Sequence, residues 1–402
     1  MIEDINIRIL ATGEWLARRL APFAGTLGLV LLLALAATIA AAGWVFPIYN
    51  WDMFAYLAAA HEAPGISVEA LHRHAYETMR QNAPAGDFIV LTQDRDYRVR
   101  QYADPEAFFT MLGFYRVKFL YVELLGWLSD FVDPYIAVRL LSVVPAALTV
   151  GLVAWWLARE RALHLAPLAI ALLLVCAFGE RARSGTPDAL STMLFVAAML
   201  AFMARREALV AILLFTAFLA RPDHAAYIGV LWFVSVFTRT FSWGAFAAFA
   251  AAAIVYVPMT QAGGHPGWWV HFWFTHVEFV PTLEGFDPDF SLTVYAYAVV
   301  RVIVRSLVEE TWLAVLLLGC FAWWQMTLRG FGFSRRETTV LVATLLAMGA
   351  KMVVFPLHET RFHLPYLIVF GLVLICALRD LRFLPGTRDI SRQAGPLICG
   401  LT

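Results

Sequence analysis

The 402 residues carry 30 Lys+Arg against 30 Asp+Glu, a formal net charge of zero, and 61% of them are hydrophobic while 15% are charged. Soluble domains are typically about 45–50% apolar and about 25% charged, so this balance excludes an ordinary soluble domain, and without a basic excess nothing supports a nucleic-acid partner. A mean hydropathy of +0.70 and recurrent apolar blocks about 20 residues long point to a polytopic all-α membrane protein, because helices satisfy their own backbone hydrogen bonds in lipid.

In chain order, spans are predicted at 21–46, 134–158, 164–182, 187–204, 207–220, 222–238, 243–261, 307–326, 339–357 and 362–380. The first block follows Arg18 and Arg19. It lacks a clear small-residue cleavage site before Trp44 and Phe46, so it reads as a retained helix and not a signal peptide. Arginines at 18–19, 159–161, 205–206, 239, 329–336 and 379–382 fall on alternate loops. The positive-inside rule places those loops together in the cytoplasm if the chain crosses ten times with both termini cytoplasmic. The whole of 1–402 is then one integral membrane domain. Two amphipathic segments, 115–131 and 291–306, lie along the outer surface; counting them as spans would put Arg159, Arg161, Arg205 and Arg206 outside.

Two large outer loops result, 47–133 and 262–306. The first contains "SVEALHRHAYETMRQ", with Ser67 as a helix cap, and "DPEAFFTML", with Asp104 as cap and Pro105 in the first turn. The second contains "GGHPGWWVHFWFTHVEFVP", where Trp268, Trp269, Phe272, Trp273 and Phe274 suggest an interfacial helix. Cys176, Cys320, Cys376 and Cys399 have no metal spacing and read as packing residues. No Asn-x-Ser/Thr sequon occurs, which fits a bacterial inner-membrane protein.

Polar residues collect on the predicted outer face. Asp52, Arg116, Lys118, Glu180, Arg181, Arg183, Asp188, Arg221, Asp223, His224, His358, Glu359, Arg361 and His363 all fall near helix ends on that side. Ionisable groups near a bilayer are costly, so they pair or serve a site. Clustering at one interface favours an outward-facing reaction chamber over a transport path, where midplane sites are expected.

Four stretches carry a family resemblance. "YNWDMFAYLA" places Asp52 directly after the first span. "YRVKFLYVELLGWLSDFVDPYIAVRLLSVVPAAL" carries Lys118, a surface segment and an Arg-Leu span opening. "RSGTPDALSTMLFVAAML" and "LARPDHAAY" are later outer turns. In order and sidedness they resemble GT-C fold membrane glycosyltransferases, related to the ArnT- and protein O-mannosyltransferase-like group, over roughly residues 20–240. A second acidic residue often stands close to the first in that family; here the neighbour is Glu62, ten residues on.

The resemblance implies sugar transfer from a polyprenyl-phosphate donor to a hydroxyl of a glycan, lipid or protein acceptor at the outer face. A phosphate leaving group needs no strong general acid, unlike glycoside hydrolysis. One carboxylate suffices as base, and cations must neutralise the phosphate. Asp52 is the candidate base, with an interfacial cap as its plain alternative. Lys118, Arg221, Arg361, His358 and His363 are candidates for donor-phosphate binding or positioning; Lys118 alternatively snorkels from a surface helix, and Arg221 with Asp223 alternatively forms a salt-bridged turn. Asn50, Asp188, Asp223, Glu359 and Lys351 are candidate supporting residues: Asn50 to orient Asp52 or to make a turn, Asp188 chiefly as the cap of the next helix. Lys351, inside an apolar block, needs a partner.

No metal site is expected. His358/His363 and His271/His276 are each five apart, where helical ligand pairs lie three or four apart; a divalent ion would need oxygen ligands converging from another loop. Competing readings are a transporter or flippase for a lipid-linked saccharide, with Arg139, Arg301 and Lys351 along its path, and another outer-face transferase such as an O-antigen ligase.

Overall fold

Each apolar block contains a helix, and among the described residues the computed structural model has no strand. Residues 11–380 are described, apart from 14, 17 and 18. Arg18, Arg382 and Cys399 therefore lie outside the described residues.

Four helices are long and apolar enough to cross a bilayer: Ala21–Val45, Pro134–Arg159, Trp243–Ala262 and Arg335–Val354. The other apolar helices, such as Asp188–Met203, Glu207–Ala220, His224–Phe237 and Leu364–Ala377, run 10–17 residues. At 1.5 Å per residue a 14-residue helix reaches about 21 Å, short of a hydrocarbon core of about 30 Å. The ten predicted spans are thus ten apolar helical segments, of which four meet the length by themselves.

Local chemistry fixes the ends. Asp133 accepts from the Tyr135 and Ile136 amides ahead of Pro134. Ser334 and Glu337 form a reciprocal capping box. Ser67 and Asp104 cap their helices as expected. The 164–182 block is broken: Leu163–Val175 ends at Cys176, Ala177 turns through φ 51°, and a short helix Gly179–Arg183 follows. The 307–326 block starts late, because Leu292–Val308 carries its first two residues and Trp312–Leu328 begins after a turn. The 115–131 segment is split at Val117–Lys118 into Gly113–Arg116 and Phe119–Ser129.

Leu364–Ala377 lies at the centre of the bundle. Nearly all its residues are buried, against Leu163–Val175, Asp188–Met203, Trp312–Leu328 and Arg335–Val354. Pro134–Arg159 packs against Ala24–Val45 on one side and Asp188–Met203 on the other. Cys176, Cys320 and Cys376 are free thiols. Residues 47–133 build a second core, centred on Phe54, Tyr76, Met79, Phe108, Tyr121 and Leu125. This helical cap covers one end of the bundle.

Charge differs between the two ends. Away from the cap, arginines tie loop ends together: Arg336 reaches Glu207 at 3.2 Å and Arg379 reaches Glu160 at 3.2 Å. Beneath the cap the ionisable groups face a cavity.

Candidate functional site

A cavity of about 760 Å³ opens where the cap meets the bundle. Asp52, Lys118, Asp188, Arg221, Asp223, Lys351, His358, Glu359 and Arg361 all line it. Nine of the sequence candidates, spread over some 300 residues of chain, therefore share one space. Two do not. His363 is fully buried, with Nε2 on the Leu357 carbonyl at 2.9 Å and its ring stacked on Trp312 at 4.0 Å; it braces the turn that carries Arg361. Asn50 does not orient Asp52, because its side-chain amide donates to the Ser184 carbonyl and so ties the start of the cap to the turn before Asp188.

Asp52 opens the helix Asp52–Ala60. Oδ1 accepts a hydrogen bond from the Tyr115 hydroxyl at 2.8 Å, and Oδ2 stands 3.7 Å from Arg361 Nη1. Tyr115 is packed between Trp51 and Tyr56. Its phenol is held well above its ordinary pKa by burial and then by the Asp52 charge, so it remains a donor.

Arg361 connects the carboxylates. It pairs with Glu359 at 2.5 Å and lies 4.0 Å from Asp188. Asp188 is 2% exposed and does not cap its helix. Its carboxylate is surrounded instead: Arg221 and Thr186 bond it directly, the latter at 2.8 Å, and Arg181 approaches to 3.9 Å. Arg221 also bonds Asp223 at 3.1 Å, and Asp223 supplies the partner that buried Lys351 required. Arg221 and Arg361 both lie against the Phe362 ring, at 4.8 and 4.7 Å.

Glu62 is not a second acid for Asp52. Arg116 holds it bidentately, at 2.7 and 2.5 Å. Lys118 is different. Its ammonium donates to the Phe114 carbonyl, and among the described residues no carboxylate lies within ion-pair distance. Burial, and then the nearby Arg221 charge, lowers its pKa to about 8. Arg301 lines the same cavity and, among the described residues, bonds only the His276 carbonyl, at 3.4 Å.

Sequence reasoning missed Tyr115, His265 and Arg305 as lining residues. It also did not foresee that His265 meets His271, through Nε2 and Nδ1 at 3.2 Å. The loop "GGHPG" turns back by placing Gly264 at φ 64° and Gly267 at φ 101°. Gly113 lets this loop approach, since a Cβ there would sit 2.2 Å from the Gly264 carbonyl oxygen. Gly113→Ala is expected to destabilise the protein by about 1–3 kcal/mol, read as a lower unfolding midpoint in detergent. An unchanged midpoint would show that the two turns separate freely.

Among the described residues no group of three or more His, Cys, Asp or Glu side chains could hold a metal ion. No family model matches the chain, and neither does any curated protein or solved structure.

Proposed function

We propose that this protein is a membrane glycosyltransferase that moves a sugar from a polyprenyl-phosphate donor to a hydroxyl acceptor. Asp52 is its general base, and Lys118, with Arg221 and Arg361, faces the donor phosphate. The observation that carries the reading is that Asp52 and these three cations, drawn from three separate turns, line one cavity beside the bundle. The GT-C-like motif order supports it. So does the charge at the opposite end, which under the positive-inside rule faces the cytoplasm and leaves the cavity outward. In this topology the shorter apolar helices complete about ten crossings as parts of the bundle, in a bacterial inner membrane.

The steps follow from the groups present. The acceptor hydroxyl loses its proton to Asp52 as its oxygen attacks the anomeric carbon. The bond to the phosphate oxygen breaks, and the polyprenyl phosphate leaves with an added negative charge. That charge develops opposite Lys118, the lining lysine that pairs with no carboxylate among the described residues. The Asp188 and Asp223 ion pairs hold Arg221 in place. A one-step displacement of this kind inverts the anomeric centre.

The test is transfer from a panel of polyprenyl-phosphate sugars by the purified protein. Saccharide flux in vesicles without transfer would assign it to transport instead. The Lys118 pKa adds a pH signature. A lysine is cationic below its pKa and neutral above it, so kcat/KM for the donor is expected to fall as pH rises through about 8. Lys118→Arg should move that fall to higher pH, because an arginine stays charged. A profile unchanged by the substitution removes Lys118 from phosphate binding.

A further inference from the structure

Beside Lys118 the cavity wall is made of histidine and aromatic rings. Their hydrogen bonds determine where the protons sit. The Gly267 amide, which can only donate, points at His265 Nδ1 at 3.1 Å. In a neutral imidazole that nitrogen then carries no proton, and Nε2 carries it. His265 Nε2 lies 3.2 Å from His271 Nδ1, so it donates there. His271 Nδ1 is thereby the acceptor, and His271 keeps its own proton on Nε2. Both rings stay neutral: burial first, and then the Lys118 charge, lowers His265 to about 4 and His271 well below its ordinary value.

His271 is held in this orientation. Its ring stacks on Phe114 at 4.5 Å and lies tilted against Phe355 at 4.8 Å. The Phe114 side chain thus supports His271 while its carbonyl holds the Lys118 ammonium. One residue places a neutral N–H donor and a cation at the same wall of the cavity. An ammonium beside a fixed neutral donor suits an anionic oxygen that accepts from both.

We propose that His271 donates from Nε2 to a non-bridging oxygen of the phosphate that Lys118 binds, and that His265 is the positioning residue that sets its tautomer. The proposal rests on the glycosyltransferase reading in taking that phosphate to be the polyprenyl one. A neutral donor recognises the phosphate without adding charge to a wall that already holds Lys118. It also accounts for a chain of two imidazoles ending in the cavity with no metal ligand set around it.

The experiment uses the full-length protein in nanodiscs and needs no sugar transfer. Polyprenyl phosphate and polyprenol are titrated separately, so that the phosphate contribution is read as the difference. Loss of one hydrogen bond to a charged acceptor is expected to weaken polyprenyl phosphate binding about tenfold in His271→Phe, with polyprenol binding unchanged. His271→Gln, whose amide still donates, should lose less. Nitrogen NMR of labelled histidine in the unaltered protein gives the tautomers directly: both His265 and His271 are expected to be protonated at Nε2 only. Substitution of His265 by Phe should release that preference at His271. Wild-type affinity in His271→Phe, or a His271 proton on Nδ1, would overturn the proposal and leave the transferase reading standing. Equal binding of polyprenol and polyprenyl phosphate by the wild type would overturn both. Tight, His271-dependent phosphate binding without any sugar transfer would uphold the donor role and remove the transferase reading alone.

Discussion

Asp52→Asn is expected to lower sugar transfer by about 10²–10⁴-fold, the range typical of losing a general base, while donor binding changes little. The substitution is a clean one for this site. Asparagine has nearly the same shape, and its carbonyl oxygen can still accept from Tyr115, which now bonds Oδ1 at 2.8 Å. The helix that Asp52 opens packs through Phe54, Tyr56, Leu57 and Ala58, all buried and none altered. What disappears is the proton acceptor and the negative charge 3.7 Å from Arg361. Loss of a base lowers kcat, whereas loss of a binding contact raises KM, so the split between them identifies the role. Retained wild-type kcat with a proven donor removes Asp52 as base. Wild-type transfer with poor binding would make it a structural partner of Arg361.

Asp52 was legible in the sequence for a simple reason. A carboxylate directly after a long uncharged block stands out, and the sidedness of the arginines put Lys118, Arg221 and Arg361 on its face. Helix positions were equally legible, since apolar blocks between charged turns change little on folding: 207–220 and 243–261 are matched within a residue. The roles within the site were not. Asp188 follows Pro187, which locally reads as a helix start, yet its partners lie 33 and 173 positions away in Arg221 and Arg361. Tyr115 looks like one more aromatic in an interfacial belt, and only the fold brings it to Asp52. The histidine pair depends on glycine conformations in "GGHPG" that reverse the chain, so a search at helical spacing passes over it. Asn50 had the same defect, because its partner Ser184 lies 134 residues on. Apart from the histidine pair, which is six residues apart, each missed feature is a contact between residues distant in sequence.

Asp188→Ala should be the most damaging substitution to the fold, costing about 3–5 kcal/mol as expected when one partner of a buried ion pair is removed. The Asp188 side chain is 2% exposed and Arg221 only 11%. Removing the carboxylate leaves Arg221 facing Arg181 and Arg361 with their shared counter-charge gone, and leaves the Thr186 hydroxyl without its acceptor. These three arginines come from the short helix Gly179–Arg183, the turn at 221 and the turn at 361. Their repulsion acts on the very segments that bring Phe362 and Lys351 to the site. Asp188→Asn keeps an acceptor for Thr186 but not the charge, so it should fall between wild type and alanine. Denaturant unfolding in detergent, followed by helical circular dichroism, measures both. A second replacement tests the cause. With Arg221→Met added to Asp188→Ala, the buried cation that lost one of its two carboxylate partners is itself removed, and part of the lost stability should return. The recovery is partial because Asp223 then loses its bond from Arg221 Nε. If Asp188→Ala unfolds within about 1 kcal/mol of wild type, comparable to a surface ion pair, the hub is not holding the turns. If the double variant is worse by the sum of both losses, the charges are not what couples them. Asp188 also limits the choice of base: Arg221 and Thr186 engage one oxygen each. Of the two carboxylates facing Arg361 from the first span and from the Asp188 turn, Asp52 is the one with an oxygen left to take a proton.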